Sequence, residues 1–250
     1  MHRFFVTPEQ AREQTIFLSG REAHHALHVL RVREGEIVGL LDGAGTVLEA
    51  EVQGFDRDKI RLQVRDRKLA AQPRTQISLL QAIPKAKLFD SIVQKATELG
   101  VHRIVPLLTE RVVIKLGDRE RKAKADKWRA VALEAAKQCG TPWIPKIEEP
   151  LTPGEFLSRK EVFELPLLAS LGEGARHPKA WFEEIRRSSS GPPGSVCIWV
   201  GPEGDFTPDE RQAIEAAGAR PISLGPLVLR VETAAIYCLA ILNYELQLEI

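Results

Sequence analysis

What most constrains this 250-residue chain is a change of hydrophobic period near residue 75. Upstream, residues 36–41, 46–52 and 59–65 alternate apolar and polar side chains, the two-residue period of a half-buried strand. Asp42-Gly43-Ala44-Gly45 and Gly54-Phe55-Asp56-Arg57-Asp58 supply the turns between them, which predicts a small antiparallel sheet or barrel. One helix over 21–31 interrupts it, with Ala23, Ala26, Leu27 and Leu30 as its apolar stripe and Ser19 as its N-cap. From Gln76 onward, short apolar runs at 77–83, 103–108, 165–169, 196–200 and 221–224 alternate with amphipathic segments at 87–99, 118–138, 177–187, 207–217 and 231–248. That is the pattern of a parallel sheet with crossover helices. The fold class is therefore α/β, with two domains, 1–72 and 73–250, joined at Leu69-Ala70-Ala71-Gln72-Pro73.

Net charge is +1, but it is unevenly spread: residues 1–72 carry 0, residues 73–147 carry +8 and residues 148–250 carry −7. A basic middle suits a phosphate-bearing partner held on one face, or an acidic segment that covers it. No apolar run reaches the roughly 20 residues that span a bilayer, and Met1–Pro8 is too short for a signal peptide, so a soluble, cytoplasmic protein with no membrane partner is expected. The three cysteines, Cys139, Cys197 and Cys238, lack the spacing of a disulfide framework or zinc site. No metal is expected, and the histidines, four of them at His2, His24, His25 and His28, read as surface or packing residues.

Three glycine-containing segments invite a nucleotide-binding reading. Leu41-Asp42-Gly43-Ala44-Gly45 leads into a strand rather than a helix, so it reads as a hairpin turn and not as a dinucleotide loop. Val200-Gly201-Pro202-Glu203-Gly204-Asp205-Phe206 follows an apolar strand and leads into Thr207-Pro208-Asp209-Glu210, a capping box with proline at the first helical position. Ser223-Leu224-Gly225-Pro226-Leu227-Val228-Leu229-Arg230-Val231-Glu232 also connects a strand to a helix. Two such loops at one sheet edge can wrap an adenosine-sized ligand with backbone groups and leucines. For Arg230 and Glu232 two readings stand: a local salt bridge, or an anion-binding guanidinium and a carboxylate favoured by the helix dipole.

Together these segments resemble the C-terminal signature of the SPOUT methyltransferases, in particular the family that methylates N3 of a uridine in 16S ribosomal RNA of the small subunit. Also similar to that family are His25-Ala26-Leu27-His28-Val29-Leu30-Arg31-Val32-Arg33, Lys85 and Lys87 followed by Gln94-Lys95-Ala96-Thr97-Glu98-Leu99-Gly100-Val101, and Glu134-Ala135-Ala136-Lys137-Gln138-Cys139-Gly140. The resemblance implies a PUA-like RNA-binding β-barrel, a trefoil-knotted α/β methyltransferase domain, S-adenosyl-L-methionine as cofactor, and a homodimer. It implies cofactor contacts from Val200, Gly201, Glu203, Gly204, Ser223, Leu224, Gly225, Leu229 and Arg230, with Ser170, Leu171 and Gly172 as a further loop. For that reaction Arg230 is expected near the reacting base and Glu232 in a positioning or proton-accepting role; the basic residues Arg3, Arg31, Arg33, Lys85 and Lys87 are expected on RNA, with Lys95, Arg111 and Lys115 extending the track. Other implied readings are a related enzyme acting on a ribose 2′-hydroxyl and a non-catalytic RNA-binding assembly factor. The chain departs from the family pattern at Asp205, where a glycine is usual, and at Leu227 and Thr141, where arginine is common.

Overall fold

The structure, a computed structural model, describes residues 1–85, 88–111, 116–172, 174–188 and 191–246. It contains two compact units, Met1–Gln72 with Leu133–Ile144, and Pro73–Ala132 with Pro145–Ile250. The return of Leu133–Ile144 to the first unit is absent from the sequence reading, because nothing in the local period marks it.

In the first unit β1 (Arg3–Phe5), β2 (Thr15–Leu18), β3 (Ile37–Leu41), β4 (Thr46–Asp56) and β5 (Lys59–Leu69) form one sheet in the order β1-β3-β4-β5-β2. The pairings β3–β4 and β4–β5 are antiparallel, as expected, and so is that of β2, a strand not anticipated, with β5; β1 against β3 is parallel, which corrects the all-antiparallel expectation. A parallel partner needs a crossover of a dozen residues or more, and the chain between β1 and β3 supplies it. The alternating inward residues, among them Phe4, Ile16, Val38, Leu40, Leu48, Ile60 and Leu62, pool into one core. Helix α1 (Gly20–His24) continues as a π-helical turn over His25–Leu30 and stops at Arg31, whose φ of 54° is left-handed. Ser19 occupies the N-cap position but makes no side-chain cap bond.

The hairpin tip after β3 shows why its glycines are needed. Asp42 Oδ1 accepts the N–H groups of Ala44 and Thr46, both at 2.8 Å. A Cβ on Gly43 would lie 2.6 Å from Ile144 Cδ1, and one on Gly45 2.4 Å from Trp143 Cζ2. Ile144 N–H donates to Gly43 O at 3.1 Å and Gly45 N–H to Pro142 O at 3.0 Å, so the turn is a receptor for the returning segment. Lys137, only 6% exposed, is held between Glu22 at 2.9 Å and Glu134 at 3.0 Å. A buried ammonium without such partners would be costly.

In the second unit β6 (Gln76–Ala82), β7 (Arg103–Leu107), β8 (Lys146–Ile147), β9 (Leu165–Ala169), β10 (Ser195–Val200) and β11 (Arg220–Ile222) form a fully parallel sheet in the order β11-β9-β10-β6-β7-β8. Its helices are α2 (Leu88–Glu98), α3 (Asp118–Cys139, whose last turns belong to the first unit), α4 (Pro153–Leu157), α5 (Pro178–Ser188), α6 (Pro208–Ala216) and α7 (Val231–Leu246). Leu80, Leu107, Leu168, Trp199 and Phe206 are buried in one of its cores. After β8 the chain crosses back to build β9, β10 and β11 on the other side of β6, so the strand order reverses between β6 and β10. Loops leaving the carboxyl ends of such strands diverge and open a crevice.

Candidate functional site

The crevice is present. Loops following β9, β10 and β11, with Leu88 at the start of α2, line a cavity of about 650 Å³, within the usual range for a small-molecule site. Backbone bonds lock the first loop to the third: Ser170 N–H donates to Ile222 O at 3.0 Å, Arg176 N–H to Pro221 O at 3.2 Å, and Ser223 N–H to Arg176 O at 2.9 Å. Ser170 Oγ accepts from Gly172 N–H at 3.1 Å, and Ser223 Oγ from Gly225 N–H at 3.3 Å, tightening each turn locally. Gly225 has φ 111°, a conformation that side chains avoid.

The middle loop is braced from within. A Cβ on Gly201 would lie 2.9 Å from Asp205 Oδ1 and 3.3 Å from a Phe206 ring carbon. Asp205 adopts φ 61°, and its own Oδ1 accepts Phe206 N–H at 2.8 Å. A local side-chain bond is how Asp comes to tolerate the left-handed region, so the departure from glycine at this position leaves the turn intact. Thr207 and Glu210 complete the capping box of α6 with Pro208 at its start.

Of the residues expected at a cofactor, Leu171, Gly172, Val200, Gly201, Glu203, Ser223, Leu224, Gly225, Leu229 and Arg230 line this cavity, as does Glu232. Gly204 is not among the lining residues; its carbonyl accepts from the Arg111 guanidinium, and a Cβ there would sit 3.3 Å from Arg111 Cδ. Ser170 and Leu227, expected beside the ligand with Leu171 and Gly172 and with Leu224 and Leu229, line it too; Pro202, Pro226, Val228 and Leu88 also line the cavity and were not anticipated as contacts. Loop length around the glycines was the signal for most of them; for Leu88, on another element, there was none. Arg230 is exposed and Glu232 is half-buried in the first turn of α7; among the described residues no ion pair joins the two. The walls are leucine and valine with backbone N–H and C=O groups between, a surface suited to a flat heterocycle with polar edges.

The residues expected on RNA are distributed differently. Arg3 donates to the carbonyls of Lys137 and Gln138 inside the first unit. Arg31 and Arg33 are exposed. Lys85 is exposed, while Lys95 pairs with Glu98 at 3.0 Å and Arg111 is bonded to Gly204. Lys87 and Lys115 lie outside the described residues. His24 and His28 are neighbours with ring centroids 4.7 Å apart. Among the described residues no group of three or more His, Cys, Asp or Glu could hold a metal ion, and no helix is long and apolar enough to cross a membrane. Burial pushes the thiols of Cys197 and Cys238 up to about 12.

An RNA methyltransferase domain model matches residues 71–243, and an RNA methyltransferase PUA domain model matches residues 18–65. The chain belongs to this RNA methyltransferase family. Its relatives include the Ribosomal RNA small subunit methyltransferase E of Bacillus subtilis, 30% identical and aligned over 99% of this chain and 98% of the relative. That of Synechocystis is 32% identical over 98% of this chain and 78% of its own length. Among solved structures, a Ribosomal RNA small subunit methyltransferase E from Neisseria gonorrhoeae bound to S-adenosyl methionine superposes with a TM-score of 0.84 at 26% identity, covering 98% of both chains. A Legionella pneumophila protein in complex with the same cofactor gives a TM-score of 0.84 at 29% identity over 97% of this chain and 96% of that one.

Proposed function

We propose that this protein uses S-adenosyl-L-methionine to methylate N3 of a specific uridine in 16S ribosomal RNA. One observation carries the reading: three glycine-containing loops converge at the strand-order reversal on a cavity of about 650 Å³, in a chain whose full-length relatives are small-subunit ribosomal RNA methyltransferases. The lining fits the cofactor chemically. Leu224 and Leu229 would hold a flat base between them, and the backbone groups of Val200, Gly201, Ser223 and Gly225 are available to its polar edge, with Leu171 and Gly172 beside them in the lining. When bound, the cofactor supplies an electrophilic methyl on a sulfonium.

The chain must then align the base and free N3 of its proton. Glu232 accepts that proton on its carboxylate. Arg230 donates to the uridine oxygens O2 or O4 and stabilises the charge that develops as N3 is deprotonated. Residues 1–72 hold RNA through Arg31 and Arg33, residues 73–250 carry the chemistry, and the last segment threads a loop as in the SPOUT family. The protein works in the cytoplasm as a homodimer, on naked 16S ribosomal RNA or the assembled small subunit. An exposed face supports the dimer: Thr233, Tyr237, Ala240 and Tyr244 recur on α7 as an uncharged stripe, with Tyr237 44% and Tyr244 72% exposed, which a second copy could cover.

Nucleoside mass spectrometry of ribosomal RNA from a deletion strain tests the assignment, with loss of 3-methyluridine from the small subunit as the expected result. Loss of a ribose 2′-O-methyl instead would indicate the alternative chemistry, and an absence of cofactor heat in calorimetry would indicate a non-catalytic RNA-binding factor.

A further inference from the structure

Glu203 is expected among the cofactor contacts, yet its carboxylate already has a partner within the chain. Oε1 accepts the backbone N–H of Lys85 at 2.9 Å, across 118 residues of sequence. Two more bonds hold the same stretch of chain: Arg111 donates to Gly204 O, and Glu210 Oε1, in the first turn of α6, accepts Glu110 N–H at 2.9 Å. The three bonds join the loop after β10 and the start of α6 to the loops after β6 and β7. They differ in what the partner carries. Arg111 spends its guanidinium in the bond, and Glu110 is anionic, but Lys85 gives only its backbone and leaves an exposed ammonium. No ion pair among the described residues engages that ammonium, and Leu88, three residues on, forms part of the cavity wall.

A lysine side chain is a flexible point charge, and its useful reach is set by where its backbone is held. A carboxylate accepting a backbone N–H is a charge-assisted bond and a strong way to hold it. We propose that Glu203 is a positioning residue for Lys85: it fixes the Lys85 backbone beside the cavity so that the ammonium meets a backbone phosphate of the RNA strand presenting its base. Its carboxylate is then committed to the protein and is not a cofactor ligand. This rests on the methyltransferase reading above for the identity of the RNA.

The test is a double-mutant cycle on binding of transcribed 16S ribosomal RNA across a salt series, with cofactor affinity measured separately by calorimetry. Lys85→Ala should lower RNA affinity roughly fivefold and reduce the slope of log affinity against log salt by about 1. Glu203→Ala should do the same while changing cofactor affinity less than about twofold, and Glu203→Gln, whose amide oxygen still accepts from Lys85 N–H, should restore binding. The double variant should be no more than about twofold weaker than Lys85→Ala alone, because both changes remove one interaction. Glu203→Asp, too short to reach but still charged, should match Glu203→Ala and serves if the alanine variant fails to fold. Multiplying losses, a failure of Glu203→Gln to rescue, or a loss confined to cofactor binding would overturn the proposal. A wild-type protein that binds no cofactor would instead overturn the methyltransferase reading, leaving the Lys85–Glu203 cycle to be read on RNA alone.

Discussion

Arg3 packs its guanidinium onto Gly140, where a Cβ would come within 2.9 Å of Arg3 Cζ, and donates to the carbonyls of Lys137 and Gln138 at 3.4 and 3.1 Å. These are carbonyls at the end of α3 that have no helical partner, and Gly140, at φ 84°, is the left-handed residue that follows them. Gly140→Ala should therefore cost about 1–2 kcal/mol from backbone strain, with more from the collision. Urea unfolding would measure it, and Arg3→Ala combined with Gly140→Ala should recover only the collision part. A neutral Gly140→Ala would show that Arg3 does not close this helix.

The two N-caps make a paired prediction. Thr207 accepts Glu210 N–H at 3.3 Å, and Glu210 returns the bond to Thr207 N–H at 3.0 Å. Ser19 has the right residue type and an extended backbone, but no cap bond. Thr207→Ala should lose about 1 kcal/mol of stability and Ser19→Ala only a few tenths. The opposite ranking in chemical unfolding would contradict the capping geometry.

Chemistry at the cavity separates from binding by single-turnover methylation. Glu232→Gln should slow the transfer on the order of 100-fold, the scale of a lost general base, and Arg230→Ala by a similar factor through lost charge stabilisation. Both variants should still bind RNA. Wild-type single-turnover rates in either variant would remove that residue from the reaction.

Thiol chemistry offers a check on burial. Cys139 is exposed, whereas Cys197 and Cys238 are buried and their thiols stand near 12 instead of the ordinary 9.0. A thiolate-selective reagent at pH 8 should label one cysteine in the folded protein and three after denaturation. The raised values also have a stability consequence. The unfolded thiols ionise near pH 9 and the folded ones do not, so the stability they contribute is complete below pH 9 and is lost as pH rises toward 12. Rapid labelling of all three in the native state would show that the core opens.

The loop after β10 was legible because every part of its signal is local: an apolar strand, two glycines, and Thr207 with Glu210 three residues later. The strands β1, β2 and β8 were not, since two to four residues cannot display a period. The π-helical turn over His25–Leu30 shares its apolar stripe with an ordinary α-helix and so looked like one. Function of individual charges was least legible. Arg3, expected on RNA, has partners within the chain 134 and 135 residues away, and Glu203, expected on a ligand, has one 118 residues away, none of which a local motif can show. Sequence motifs identify which residues matter at a site; only the tertiary arrangement shows what each one touches.

The sheet order carries a kinetic consequence. Gln81 and Val200 are register partners in neighbouring strands although 119 residues separate them, and β10 is the strand that joins the β6–β7–β8 half of the sheet to β9 and β11. Loop closure over such a span must precede any gain from the pairing, which slows collapse to the native topology. During synthesis the early half therefore waits with an unfilled edge at β6 until the segment bearing Val200 emerges, and the ligand crevice, which needs both edges, is among the last features of the molecule to exist.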